Sequence, residues 1–565
     1  MKGFASIASL LCVAFMSVSA APEGAVLELI KQGRKAYASR DWDEAIRFFS
    51  AAIERDKEED EAYVGRALTY VQKREPDKAL ADINQALKIA ADESNYLLIR
   101  SEVQRMRRDF KAALKDIDQV IQQHPRISRP YQIRSSIYQG MGDSKKALED
   151  LTSCIRINPK DDQSYMLRGR LFQDLQQYDN SRQDLTKAIE LNADNADAYQ
   201  ERARVLSRQK EYDKAIEDCD KVIELRPRAH HGYQMRGHIH LLKRDFGKAE
   251  EDFTMALECD PTNPFLYSDR ARCRLSRDQA DAALKDANQA VKLDPKNSYW
   301  YQDRASIHEW LKNYKEAETD LSESVRLDSK SADAYVRRFQ FYYRHKRTKE
   351  ALADVNKAIE LEPKDNTLRS MRGALYSRMD AWDKALEDFQ FVLEREPKNP
   401  RAYLDRANVL AKQGKFADGL KDCHKAVALA PRSVECYQVR GSLRRQDKEY
   451  AKARSDYEFT LELAPDNPQT HNGLAWMLAT CQDKQFRDAK TALVHAKKAC
   501  ELSHYKDAYC LDTLAAAHAE AGNFKEAVRW QEQAVKLCLP TDLYYQRLRD
   551  RVDLYKSGKA LYTDD

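Results

Sequence analysis

From Ala25 onward, apolar and polar positions alternate in blocks that return every 34 residues. In residues 196–229, ADAYQERARVLSRQKEYDKAIEDCDKVIELRPRA, Tyr199, Ala203 and Leu206 fall at i, i+4 and i+7 and make one stripe along a helix. Gln209, Lys210 and Glu211 break the stripe. Ala215, Cys219, Val222 and Ile223 form a second stripe, and Pro227 stops it, because proline lacks the backbone donor and clashes with the preceding turn. Each block therefore predicts two antiparallel helices joined by a short turn. Small residues stand where the two axes must approach: Ala45, Ala79, Ala113 and so on in steps of 34 to Ala453, with Ser181 and Gly419 as variants.

Such a hairpin cannot bury two apolar stripes by itself, so neighbouring hairpins must stack into a continuous core. A chain of 565 residues also exceeds what one globular core holds. Only 17 glycines and 16 prolines interrupt it, against 33% charged residues, which favours helix throughout. The order of aromatic, small residue four later, aliphatic, alanine and then proline resembles the tetratricopeptide-repeat (TPR) family. That resemblance implies an all-α, right-handed α-solenoid of about fifteen helix-pair repeats between Ala25 and Leu539. Thirteen regular repeats fill residues 25–467, and two divergent ones fill residues 468–540. The fourteenth is longer: the step from Ala475 to Ala489 exceeds that from Gly441 to Ala453 by two residues. Its sequence and that of the fifteenth look like the terminal module of exported bacterial TPR proteins. Tyr544, Leu548, Val552 and Tyr555 share one face of a capping helix within residues 541–556, followed by a flexible tail, 557–565.

The first twenty residues differ in kind. Lys2, the apolar run from Phe4 to Met16, and Val18-Ser19-Ala20 have the layout of a signal peptide cleaved after Ala20, which predicts a periplasmic or secreted protein. Leu11 before Cys12 does not suit a lipoprotein signal. No other apolar run is long enough to span a membrane. Cys154, Cys219 and Cys423 occupy positions that hold aliphatic residues in other repeats, so they read as packing residues. Cys510 opens one helix and Cys538 closes its antiparallel partner, which makes them a candidate disulfide that spacing alone leaves open.

Charge adds a second periodicity. Twelve consecutive repeats, from Arg66 to Arg440, place an arginine on the first helix and an aspartate sixteen residues later, from Asp82 to Asp456. In a hairpin those positions are nearly level, and an arginine fork matches a carboxylate. The spacing predicts a ladder of Arg–Asp pairs, within a repeat or between neighbours; the alternative is an arginine-lined groove for anions. With 95 basic and 91 acidic residues, a net charge of +4 gives no field suited to nucleic acid.

In TPR proteins the first helices line a concave face where partners dock, and the resemblance implies a protein-binding scaffold here. The matching positions hold mixed polar residues, among them Arg170, Asp174, Arg204, Arg208, Arg272, Glu309, Arg344, Arg378 and Lys412. Phe265, Tyr299, Trp310 and Tyr343 place large aromatics there and are the candidate partner-binding residues, although some could simply pack against neighbouring helices. The Lys and Asn set that grips carboxyl termini in some TPR proteins is missing from any three successive repeats. His230, His231, His238 and His240 lack the spacing and companions of a metal site and read as surface histidines. No phosphate loop, nucleophile elbow, HExxH or dinucleotide motif occurs, and the repeats leave no room for a catalytic domain. Neither an enzyme nor a cofactor is expected. A carbohydrate-binding or export-assisting solenoid is the main alternative to a protein scaffold; an unrecognised groove enzyme is a remote one. Partner identity and oligomeric state are not legible.

Overall fold

The computed structural model describes residues 24–91, 93–539 and 544–563. The signal segment, residues 1–20, lies outside them. Among the described residues there are 31 α-helices and no strand, and the helices come as consecutive pairs with one further helix, Tyr545–Lys556, at the end. The chain divides into two compact units after Leu293, eight hairpins in the first and seven plus the final helix in the second.

The sixth hairpin shows why the pattern folds this way. Its first helix is Ala196–Arg208 and its second Tyr212–Leu225, so the polar break falls in the turn, with Lys210 in the left-handed region at φ 64°. Asn195 caps the first helix by accepting from the Ala198 amide. Arg226 ends the second helix one residue before Pro227. Ala203, Leu206, Ala215 and Cys219 pack together with Ile239 of the next hairpin, so the core continues from repeat to repeat. Every alanine of the close-approach series, and Ser181, is fully buried. At Gly419 even a Cβ would come within 2.9 Å of Leu443 Cδ2 and 3.1 Å of the Ala407 carbonyl, so only glycine fits there. Cys154, Cys219 and Cys423 are buried, and burial pushes their thiols up, to about 11 at Cys154 and about 12 at the others.

All twelve Arg–Asp pairs form, each within its own repeat. The guanidinium Nε and Nη2 donate to the two carboxylate oxygens at 2.6–3.1 Å, from Arg66–Asp82 through Arg236–Asp252 to Arg440–Asp456. The third nitrogen extends the rung. Nη1 donates sixteen residues back to the second helix of the preceding repeat: Arg100 to Asn84, Arg202 to Thr186, Arg236 to Asp220, Arg372 to Asn356. A tyrosine one turn earlier often lies under the guanidinium, as Tyr199 does beneath Arg202 at 5.7 Å. One arginine thus joins three helices, and a slipped stack would strand it beside a buried carboxylate.

The carboxy-terminal module departs from this plan. Its insertion is five residues rather than two: the helix after the insertion is Ala489–Leu502, and Ala492, fully buried, takes the place of Ala453, while Ala489 is only half-buried in the first turn. The extra residues form a short 3-10 turn, Lys484–Phe486. Cys510 is a free thiol in the module's apolar core beside Cys500, whereas Cys538 sits past a helix end on extended backbone, so no disulfide joins them. The final helix is anchored by Asp512, a buried carboxylate that accepts from Gln531 Nε2 at 2.8 Å, Tyr544 OH at 2.6 Å, and Arg551. Burial raises the Asp512 pKa against the pull of Arg551. Residues 557–563 are not loose: Arg487 stacks over Tyr562 at 3.9 Å and the Thr563 amide donates to the Thr480 carbonyl at 2.8 Å.

Candidate partner-binding face

Twelve of the fifteen second helices carry the ladder aspartate, and second helices stack on the next hairpin; the candidate face lies on the first helices. Several successive first helices touch, as Asp162–Asp174 does Ala196–Arg208. Each unit holds a pocket on this side. In the first unit a pocket of about 680 Å³ lies across Asp162–Asp174, Ala196–Arg208 and His230–Leu242, with Gln200, Arg204, Arg208, His231, Gln234 and His238 facing Ala203, Met235, Ile239 and Leu242. In the second a pocket of about 630 Å³ is lined by Tyr343, Arg378, Asn408, Lys412 and Ser442.

Of the four candidate aromatics, Phe265 lies in the first unit and Tyr299, Trp310 and Tyr343 in the second. Phe265 is exposed near the start of the helix Pro264–Ser276, in the first unit. Tyr299 and Trp310 are exposed in the second unit at opposite ends of one helix, Ser298–Trp310, about 16 Å apart by helix rise. Tyr299 sets its ring edge-on to buried Trp300 at 5.0 Å. Tyr343 is half-buried, packed on Phe339 at 5.7 Å under the Arg378 guanidinium at 4.9 Å, and it lines the second unit's pocket.

The ninth residue of the first helix sets four hairpins of the first unit apart from others in that unit, where it is Leu68, Glu102 or Ser136, and from the second unit. In those four successive hairpins it is Arg170, Arg204, His238 and Arg272; in the second unit it is Ser306, Gln340, Ala374, Asn408 and Ser442. The three arginines and His238 share two carboxylates beneath them. Glu201 lies 3.4 Å from Arg170 and 3.1 Å from Arg204; Asp269 lies 2.8 Å from His238 and 3.4 Å from Arg272. Side chains of Arg204, His238 and Arg272 are 45%, 47% and 56% exposed, but those of Glu201 and Asp269 only 11%, so solvent meets the positive charge first. The sequence marks the cations through their 34-residue spacing; the two acids, 31 residues from Arg170 and His238, carry no such sign.

Two of the four histidines are exposed, but His240 is buried beside the Arg236–Asp252 rung, 3.9 Å from Asp252. Burial lowers its pKa, and burial with His230 and Arg204 nearby lowers that of His231. Among the described residues no three His, Cys, Asp or Glu side chains converge on a metal position, and no helix is long and apolar enough to cross a membrane.

The tetratricopeptide-repeat family matches residues 30–96, 128–161, 162–195, 196–228, 371–434 and 508–539. The chain carries TPR repeats. A comparison with curated proteins finds no match. Among solved structures, the chain is similar to the Cut9–Hcn1 hetero-tetramer of the APC/C (13% identity, 91% of this chain and 98% of that one, TM-score 0.42). It is similar also to Naa15/Naa10 bound to HypK-THB (11%, 94% and 96%, 0.37) and to yeast Tom70 (17%, 94% and 96%, 0.35). The TPR matches fall both on hairpins with rungs and on the fifteenth, which has none, so the rung is a feature of this chain laid over the TPR pattern.

Proposed function

We propose that the chain is an exported scaffold that binds segments of partner proteins along its first-helix faces. The observation that carries this reading is the lining of the pockets: those on first helices mix amides, cations and aliphatic groups, whereas those around residues 179–190 and 315–326 on second helices are lined by charged, hydroxyl and amide groups with one tyrosine each. Such walls suit a peptide, whose backbone needs donors and acceptors and whose side chains need apolar contact. Titratable groups on these faces are engaged with one another, His238 with Asp269 and Glu309 with Arg344 and His345, which favours binding over catalysis. The leader-like first twenty residues support export. A photo-crosslinking residue at Gln234, on a first helix, should capture a protein partner in cells, whereas one at Lys221, on a second helix, should not. Capture from Lys221 alone would reverse the assignment of faces.

A further inference from the structure

The four-hairpin row of cations in the first unit narrows the partner's chemistry. Resting on the scaffold reading, we infer that the row Arg170, Arg204, His238 and Arg272 receives an extended, acidic segment of a partner protein, with carboxylates at about every third residue.

Charge placement comes first. Glu201 serves both Arg170 and Arg204, and Asp269 serves both His238 and Arg272, so neither Arg204 nor Arg272 has a carboxylate to itself. Their guanidinium groups stand about half exposed above the acids and retain donors for an incoming carboxylate. Arg208, at the end of the same helix as Arg204, also lines the pocket and is exposed. His231 lies in the field of Arg204, Arg226 and His230, and its depressed pKa reports a positive locality as well as burial. Asp174 is the one acid on the pocket wall.

Spacing comes second. Packed helix axes lie about 8–10 Å apart, so equivalent residues on successive first helices recur at about that interval. An extended chain rises about 3.3 Å per residue, and three residues cover about 10 Å. A carboxylate at every third position therefore stays in step with the row. Between the cations, Ala203, Met235, Ile239 and Leu242 offer apolar wall and Gln200 and Gln234 offer amides, a mixture suited to a peptide rather than a sulfated sugar. In the second unit the same positions are uncharged, and in the second to fourth hairpins they are Leu68, Glu102 and Ser136, so the preference belongs to the four hairpins that begin within residues 162–276.

The test is fluorescence anisotropy with a labelled nonapeptide carrying Asp at positions 1, 4 and 7 with Val and Thr between them. An otherwise identical peptide carries Asn. The variant is Arg204→Gln with Arg272→Gln, which leaves Glu201 paired with Arg170 and Asp269 with His238, so both buried acids keep a partner. An unchanged circular-dichroism melt checks folding, and the single variant Arg204→Gln serves if the double variant melts lower. The intact protein should bind the Asp peptide at least about tenfold tighter than the Asn peptide, and the double variant should lose most of that difference. Salt raised from about 0.05 M to about 0.5 M should erase it too. Equal affinity for the two peptides, or an Asp preference that survives in the variant, overturns the inference; so does heparin displacing the peptide with higher affinity than any acidic peptide. These failures leave the scaffold reading standing as long as Gln234 still captures a protein partner.

Discussion

In the thirteenth hairpin the fourth and seventh residues of the first helix and the seventh of the second are Tyr437, Arg440 and Asp456; in the fourteenth they are His471, Leu474 and His495; in the fifteenth, Leu511, Leu514 and Trp530. The same three places change from a charged rung to a titratable pair to an apolar cluster. Arg440 lies over Tyr437 at 5.0 Å and forks onto Asp456. With leucine in place of the arginine, the flanking rings meet, His471 Nδ1 to His495 Nδ1 at 2.8 Å, while His471 Nε2 donates to the Pro465 carbonyl at 2.9 Å. That donor role mirrors Tyr437, whose hydroxyl donates to the Pro431 carbonyl. The last hairpin closes without a rung, on apolar contact and the Asp512–Gln531 hydrogen bond, so the rung is not what makes a hairpin fold. Its contribution is register: identical apolar stripes stacked thirteen times could slip, and a directional fork reaching three helices resists slippage.

The sharpest way to break this comparison is to remove one rung. Asp218→Ala leaves Arg202 partly buried with a single remaining acceptor at Thr186. Local opening of residues 196–242, read by hydrogen exchange, should become easier by about 2–4 kcal/mol, and a change confined to less than about 0.5 kcal/mol would make the rung ornamental. Hydrogen exchange is the right probe because a stacked array need not unfold in one step.

A smaller effect sharpens it. Burial is the main cause that holds the His495 pKa below its ordinary value; His471 and Arg454 add to that, and Glu458 opposes it. The unfolded chain takes up this proton near pH 6.5, while the folded chain resists it, so the stability of Pro468–Thr480 packed on Ala489–Leu502 is full above that pH and falls below it. Two charged rings could not keep N–H facing N–H across the contact. The stability of that hairpin should fall between pH 7 and pH 5, followed by exchange there. The triple variant His471→Tyr, Leu474→Arg, His495→Asp rebuilds the rung and should flatten the profile. A slope that persists in the variant would place its origin elsewhere.

Most of the fold is legible in the sequence because one rule, the 34-residue period, is restated many times. The ladder is legible as pairs because Arg202 and Asp218 keep their sixteen-residue spacing in every copy. Its third arm is not, because the acceptor reached by Nη1 is Asn84, Thr186, Asp220 or Asn356 in different repeats, any short side chain with an oxygen. The insertion misleads because Ala489 and Ala492 lie in one turn and only packing decides which is buried. At the candidate face, Arg204 and Arg272 can be found by periodicity, whereas Glu201 and Asp269 gain their meaning from the neighbouring helix. Spacing alone does not tell which aromatics lie near one another: Tyr299 and Trp310 share a helix but sit at its two ends.

Hydrogen exchange of the full chain with and without its co-purified protein partner tests the account most directly. It predicts protection at the first helices, Ala196–Arg208 and His230–Leu242 foremost, with the ladder-bearing helix Tyr212–Leu225 unchanged. Protection on second helices with first helices unaffected would contradict it.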